Sequence, residues 1–85
     1  MIKKESEIPF YVILTRDAEG NKFAWGGSNS LVKTERIMRN PYAFREGQWR
    51  EVVKFANRFE AYDSEWGPSL EIALGRLNWR PLING

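Results

Sequence analysis

Residues 10–15, which read Phe-Tyr-Val-Ile-Leu-Thr, constrain the fold more than any other part of this chain. Aromatic, aliphatic and β-branched residues of this kind are typical of a β-strand. Because the apolar residues are continuous and do not alternate with polar ones, we expect both faces of this strand to be covered, as in the centre of a small sheet.

The residues that follow this strand predict a β-hairpin over about residues 9–26. Asp17 and Gly20 occupy the positions expected of a type I turn that is closed by a left-handed residue. Residues 22–25 then resume a short strand. The glycine-rich and serine-rich residues 26–30 are predicted to be a loop, and the charged residues 1–7 a flexible lead-in.

Two or three helices are predicted after the hairpin. A short helix over residues 31–39 would end at Asn40-Pro41, although the same pair could instead start the next element. The main helix is predicted over about residues 46–60, and a second helix over about 68–77 begins at a proline. The main helix is predicted from an apolar stripe of helical spacing: Trp49, Val52, Val53, Ala56 and Phe59.

The order of these elements predicts an α+β fold in one small domain, because the strands and helices are segregated along the chain. The apolar residues of the segment 78–85 are expected to pack back in extended form and to add a strand. Since a two-stranded sheet is marginal on its own, either that strand or formation of a homodimer would stabilise the hairpin.

Composition argues against catalysis. The 85 residues include no histidine and no cysteine, which removes the usual proton shuttle, the usual thiol nucleophile and the common metal ligands. We therefore expect a protein that is not an enzyme and has no cofactor or metal. The acidic residues Glu60, Asp63, Glu65 and Glu71 could hydrolyse glycosidic bonds or hold Mg²⁺, but such a group is usually solvated surface. Gly26-Gly27-Ser28 matches no phosphate-binding fingerprint.

The first functional hypothesis is a binding protein that acts sterically on a macromolecule, with a protein as the favoured partner. Tryptophan and arginine are typical anchors of protein interfaces. The candidate contact residues are Trp66, Arg76, Trp79 and Arg80. The alternative for these tryptophans is a lid over the core. In its general profile, the chain resembles the small accessory or inhibitor proteins of bacteriophages and mobile elements, which implies a blocking or recruiting role.

The second hypothesis is a nucleic-acid-binding module that uses a basic helix face. Between Lys33 and Arg58 the sequence has seven basic residues and only three acidic ones. Four of the basic residues are the candidate contacts: Arg45, Arg50, Lys54 and Arg58. Tyr42, Phe44 and Trp49 lie among these charges and could stack on unpaired bases. The alternative is that the charges merely solvate the helix.

The amino terminus has no apolar segment after its lysines, and the longest apolar run, residues 10–14, is far too short to span a bilayer. We therefore expect a cytoplasmic protein without a membrane partner.

Overall fold

The computed structural model of the chain describes residues 4–74, which form a three-stranded antiparallel sheet and three helices. The strands are β1 (Phe10–Arg16), β2 (Lys22–Ser28) and β3 (Arg50–Phe55), in the sheet order β2-β1-β3. The helices are α1 (Leu31–Met38), α2 (Arg58–Asp63) and α3 (Gly67–Leu74), and a single 3₁₀ turn at Glu5–Glu7 precedes the sheet. The predicted α+β fold is confirmed.

Strand β1 is the central strand and is covered on both faces, as its continuous apolar sequence predicts. Phe10, Val12 and Leu14 point to one face of the sheet, while Ile13 and Thr15 point to the other. All five side chains are at most 5% exposed. The sheet is therefore the middle layer of the molecule.

The hairpin formed by β1 and β2 is also confirmed. Gly20 has a φ of +87°, and its N–H donates a 3.0 Å hydrogen bond to the carbonyl oxygen of Asp17. The prediction of a loop at residues 26–28 is wrong, because these residues belong to β2 and pair with β1. A Cβ atom at Gly27 would lie 2.7 Å from the ring of Phe10. This glycine therefore permits a close approach inside a strand and does not mark a loop.

A β-bulge in β2 sets the position of Trp25. Ile13 pairs with Gly26 and Leu14 pairs with Ala24, so that Trp25 is the extra residue of the bulge. The centroid of its ring lies 4.8 Å from that of Phe44. The bulge thus brings the indole onto the connection between α1 and β3.

The predicted main helix over residues 46–60 is wrong. Residues 50–55 form the edge strand β3, and a separate short helix, α2, begins only at Arg58. Two residues interrupt a helix across this region. Gly47 has a φ of +81°, and Asn57 is an N-cap whose side chain accepts a hydrogen bond from the N–H of Glu60. Between them, the β-branched pair of residues 52–53 pairs with β1, so that tertiary contact overrides the helical spacing.

The other predicted elements agree with the structure as far as it describes them. The helix predicted over residues 31–39 is α1, and α3 starts one residue before the predicted start at residue 68. The end of that second helix and the predicted C-terminal strand fall in residues 75–85, outside the described part of the chain. The third strand that the hairpin needs is β3.

Helices cover both faces of the sheet. Helices α2 and α3 cover the face that carries the main core, which consists of Phe10, Val12, Leu14, Ala24, Ala61 and Leu70. On the opposite face, α1 and the connection over residues 39–49 cover Ile13 and Thr15, with Thr34 and Phe44 as their buried side chains. The sheet is therefore flanked by two layers, one formed by α2 and α3 and the other by α1 and the 39–49 connection.

Candidate nucleic-acid interface

Of the four residues predicted to bind a protein, only Trp66 lies in the described part of the chain. Trp66 is half-buried and packs against the main core, as in the lid interpretation. Arg76, Trp79 and Arg80 fall outside the described residues.

The basic ridge predicted from Arg50, Lys54 and Arg58 does not exist as a helix face. Arg50 and Lys54 lie in β3 and point to the same side of the sheet, roughly 13 Å apart at the rise of a β-strand. Arg58 lies in α2, where its guanidinium donates a 2.8 Å hydrogen bond to the carboxylate of Glu5. Its side chain is only 19% exposed, compared with 56% for Glu5. Arg58 therefore joins α2 to the 3₁₀ turn.

The two layers that flank the sheet carry opposite surpluses of charge. The layer formed by α1, the 39–49 connection and the adjacent side of β3 contains six basic residues and only two acidic ones, Glu35 and Glu46. We call these basic residues the basic face: Lys33, Arg36, Arg39, Arg45, Arg50 and Lys54.

The opposite layer is acidic. Across residues 57–74, which contain α2 and α3, the chain has one basic residue and four acidic ones. The basic residue, Arg58, is the one that pairs with Glu5, and the acidic residues are Glu60, Asp63, Glu65 and Glu71. The overall charge of +2 thus conceals a strongly polarised surface.

Helix α1 and its C-cap residue, Arg39, present half of the basic face. The side chain of Ser30 caps it by accepting a 3.1 Å hydrogen bond from the N–H of Lys33, and Thr34 is its buried residue. Lys33, Arg36 and Arg39 are all exposed. Arg39 approaches the Glu35 carboxylate at 3.9 Å, but both side chains are well solvated, so this pair contributes little and leaves Arg39 accessible.

The remaining basic residues are held by the 39–49 connection and by β3. The N–H of Arg45 donates a 2.9 Å hydrogen bond to the side-chain oxygen of Gln48, which fixes the backbone there. The guanidinium of Arg50 lies 5.1 Å from the centroid of the Phe44 ring, while Lys54 is exposed on the edge strand. The basic face therefore rests on backbone that is anchored to the sheet.

The three aromatic residues considered for base stacking differ in their exposure. Phe44 is 2% exposed and cannot stack on a ligand. Trp49 is half-buried, and the cationic groups of Arg16 and Lys22 lie 4.5 Å and 5.1 Å from its ring centroid. Only Tyr42, which is 98% exposed, offers a free ring among these three.

The acidic candidates for catalysis do not converge. Glu60 and Asp63 line an open groove of about 430 Å³ together with Phe59 and Tyr62, whereas Glu65 is not among the residues that line it. Burial raises the pKa of Tyr62, with a smaller increase from Glu71, and the Arg58 charge opposes both. Among residues 4–74, no group of three acidic side chains could hold a metal ion. No helix in this part of the chain has the length and apolar character needed to cross a bilayer.

The helix that carries exposed basic residues is α1, and not a helix over residues 46–60 as the sequence predicted. The basic residues of α1 and its C-cap repeat every third position, at Lys33, Arg36 and Arg39, and this spacing is visible in the sequence. The signal that could have excluded a helix over residues 46–60 is Asn57 followed three residues later by Glu60, which is typical of a helix start.

No protein-family model matches the chain, and neither a curated protein nor a solved structure matches it. Its function is therefore inferred from the surface just described.

Proposed function

We propose that this protein is a small, non-enzymatic binding protein whose partner is a nucleic acid, bound through the basic face. The observation that carries the proposal is the separation of charge by the sheet, with six basic residues on the α1 side and a surplus of carboxylates on the α2 and α3 side. A phosphate backbone is attracted to the first layer and repelled by the second.

The chemistry of the face suits phosphate. Four of its six members are arginines, whose planar guanidinium groups bind phosphate oxygens in a bidentate manner. The only described ion pair within this layer is the solvated one between Arg39 and Glu35. Because these cations are not neutralised inside the protein, their contacts with phosphate would release counterions and make the affinity depend on salt.

The mode of action that follows is steric. With no histidine or cysteine in the sequence, the protein would occupy its partner and thereby block or recruit other molecules. This role agrees with the accessory or inhibitor function expected from the sequence.

The experiment compares two double variants of identical composition. Lys33→Gln/Arg36→Gln removes one lysine and one arginine from α1, and Lys22→Gln/Arg16→Gln removes the same residue types from the hairpin beside Trp49. Fluorescence anisotropy with a labelled oligonucleotide is recorded over a range of salt concentrations. We expect the α1 pair to lower the slope of log affinity against log salt by roughly 1.4 for a single strand, and the hairpin pair to leave it nearly unchanged.

Equal losses in both variants would show that net charge, and not the basic face, governs binding. An affinity that does not change with salt concentration, or no binding by the wild-type protein, would refute the proposal.

A protein partner is the second candidate, favoured by an apolar groove of about 280 Å³ between β2 and α3. The groove is lined by Trp25 and Ile72, and the latter side chain is 73% exposed. A pull-down after nuclease treatment tests this candidate. One protein retained at fixed stoichiometry by the wild type, and lost with Ile72→Glu, would support it. The Lys33→Gln/Arg36→Gln variant is the control and should retain that protein.

A further inference from the structure

We infer that Tyr42 is a stacking platform for an unpaired base, so that the nucleic acid recognised by the basic face is single-stranded. This inference rests on the proposed function and adds to it the structural class of the ligand. The ring of Tyr42 is 98% exposed, yet hydrogen bonds fix the backbone that carries it.

The turn that carries Tyr42 is fixed by Asn40. The side-chain oxygen of Asn40 accepts a 2.9 Å hydrogen bond from the N–H of Tyr42. Its carbonyl oxygen accepts two more, from the N–H groups of Ala43 at 3.0 Å and Phe44 at 3.1 Å. Pro41 restricts the backbone further. The backbone at Tyr42, to which the ring is attached, is thus preorganised, which lowers the entropy lost when the ring binds a ligand.

The end of the turn is anchored in the protein interior. Phe44 is 2% exposed, and its ring contacts the indole of Trp25 and the guanidinium of Arg50. A buried aromatic residue therefore holds the connection onto the sheet, while the aromatic residue two positions earlier projects into solvent.

The charges beside Tyr42 match a nucleotide. Arg39 precedes the tyrosine by three residues and Arg45 follows it by three, and both side chains are exposed. An exposed aromatic residue with basic residues close to it on both sides in the chain is a combination with which proteins bind single strands, because the base stacks on the ring while the phosphates contact the charges. The anchor of a protein interface more often lies at the centre of a packed, desolvated patch. A base paired within a duplex has no free face for the ring, which predicts a preference for single strands.

The test measures the affinity of the full chain for a labelled oligo(dT) and oligo(U) of about 12 nucleotides, and for a hairpin duplex with the same number of phosphates. We expect both single strands to bind more tightly than the duplex. Tyr42→Ala should weaken their binding about tenfold and leave the duplex affinity and the salt dependence unchanged. Tyr42→Phe should bind like the wild type, since the ring and not the hydroxyl stacks.

The outcomes separate this inference from the proposed function. Salt-dependent binding of single strand and duplex alike, with no effect of Tyr42→Ala, would refute the stacking role and leave the nucleic-acid partner in place. Absence of binding to every probe would refute both. Loss of a bound protein in Tyr42→Ala, with oligonucleotide binding intact, would identify Tyr42 as a protein contact and overturn the inference. The thermal unfolding midpoint of each variant shows whether it is folded, and we expect no change because the ring is exposed.

Discussion

The hydroxyl of Thr15 donates a 2.8 Å hydrogen bond to the main-chain carbonyl oxygen of Trp49, across 34 residues of sequence. The same hydroxyl oxygen accepts a 3.1 Å hydrogen bond from the side-chain amide of Gln48. Thr15 is 1% exposed, so this pair of bonds satisfies a buried polar group inside the sheet. The contact joins the central strand to the connection that carries part of the basic face.

Thr15→Val should therefore destabilise the protein by about 1–3 kcal/mol, because the substitution preserves the shape of the side chain but leaves the half-buried Trp49 carbonyl and Gln48 amide without this partner. Urea unfolding followed by circular dichroism measures the change. Thr15→Ser is the control, since it keeps the hydroxyl group and should lose less stability. A fully stable valine variant would show that the Trp49 carbonyl and the Gln48 amide bond to water in place of the hydroxyl.

Two adjacent glycines in β2 should respond differently to a methyl group. At Gly27, a Cβ atom would lie 2.7 Å from the Phe10 ring and 2.9 Å from the carbonyl oxygen of Tyr11. Gly27→Ala should cost about 1–3 kcal/mol through overpacking. A Cβ atom added at Gly26 would have no atom within 4 Å other than those of its two chain neighbours, so Gly26→Ala should change the free energy of unfolding by less than about 1 kcal/mol. Equal effects would contradict the strand register that places Gly27 opposite Val12.

The parts of the fold that follow from local sequence are predictable, and the strand that depends on distant contacts is not. The continuous apolar run of β1 and the Gly20 turn each determine their own conformation. Strand β3 is different, because Val52 and Val53 fit a helical stripe as well as a strand, and pairing with β1 decides between the two. Sequence spacing alone does not contain that information.

The candidate interface is predictable in its composition but not in its arrangement. The excess of basic residues between Lys33 and Arg58 is visible in the sequence. Which of them are available depends on tertiary contacts, since Glu5 binds Arg58 while Lys54 is left in solvent. Tyr42 is exposed and Phe44 is buried, and no local sequence pattern shows which of these two aromatic residues is the buried one.

Lys54 and Arg58 should consequently have separate roles. Lys54→Ala should weaken oligonucleotide binding about two- to threefold and leave stability within about 0.5 kcal/mol, as expected for an exposed residue on a strand edge. Arg58→Ala should lower stability by about 1–2 kcal/mol, since it removes the Glu5 pair and the contact 5.1 Å above the Phe59 ring. It should leave the affinity of the folded protein unchanged.

Anisotropy titrations and urea unfolding of both variants test this separation. A loss of affinity in Arg58→Ala as large as that in Lys54→Ala would show that Arg58 leaves Glu5 to bind phosphate.

Tyr62 should make the protein less stable at alkaline pH. Burial raises the pKa of its hydroxyl in the folded chain above the ordinary value of 10.0. Well below about pH 10 the tyrosine is protonated in both the folded and the unfolded chain, and its contribution to stability is fully present. As the pH rises above that value, the unfolded chain releases this proton first, and stability declines until the folded-state pKa is reached.

Thermal unfolding midpoints recorded between about pH 8 and pH 11 measure this decline. We expect Tyr62→Phe to have a shallower fall above about pH 10 than the wild type, because its ring has no proton to release. The relevant quantity is the difference in slope between the two proteins, and not the absolute slope of either. Tyr42→Phe, which removes a hydroxyl from an exposed ring, is the matched control. Parallel curves for wild type and Tyr62→Phe would show that burial of Tyr62 does not hold its proton.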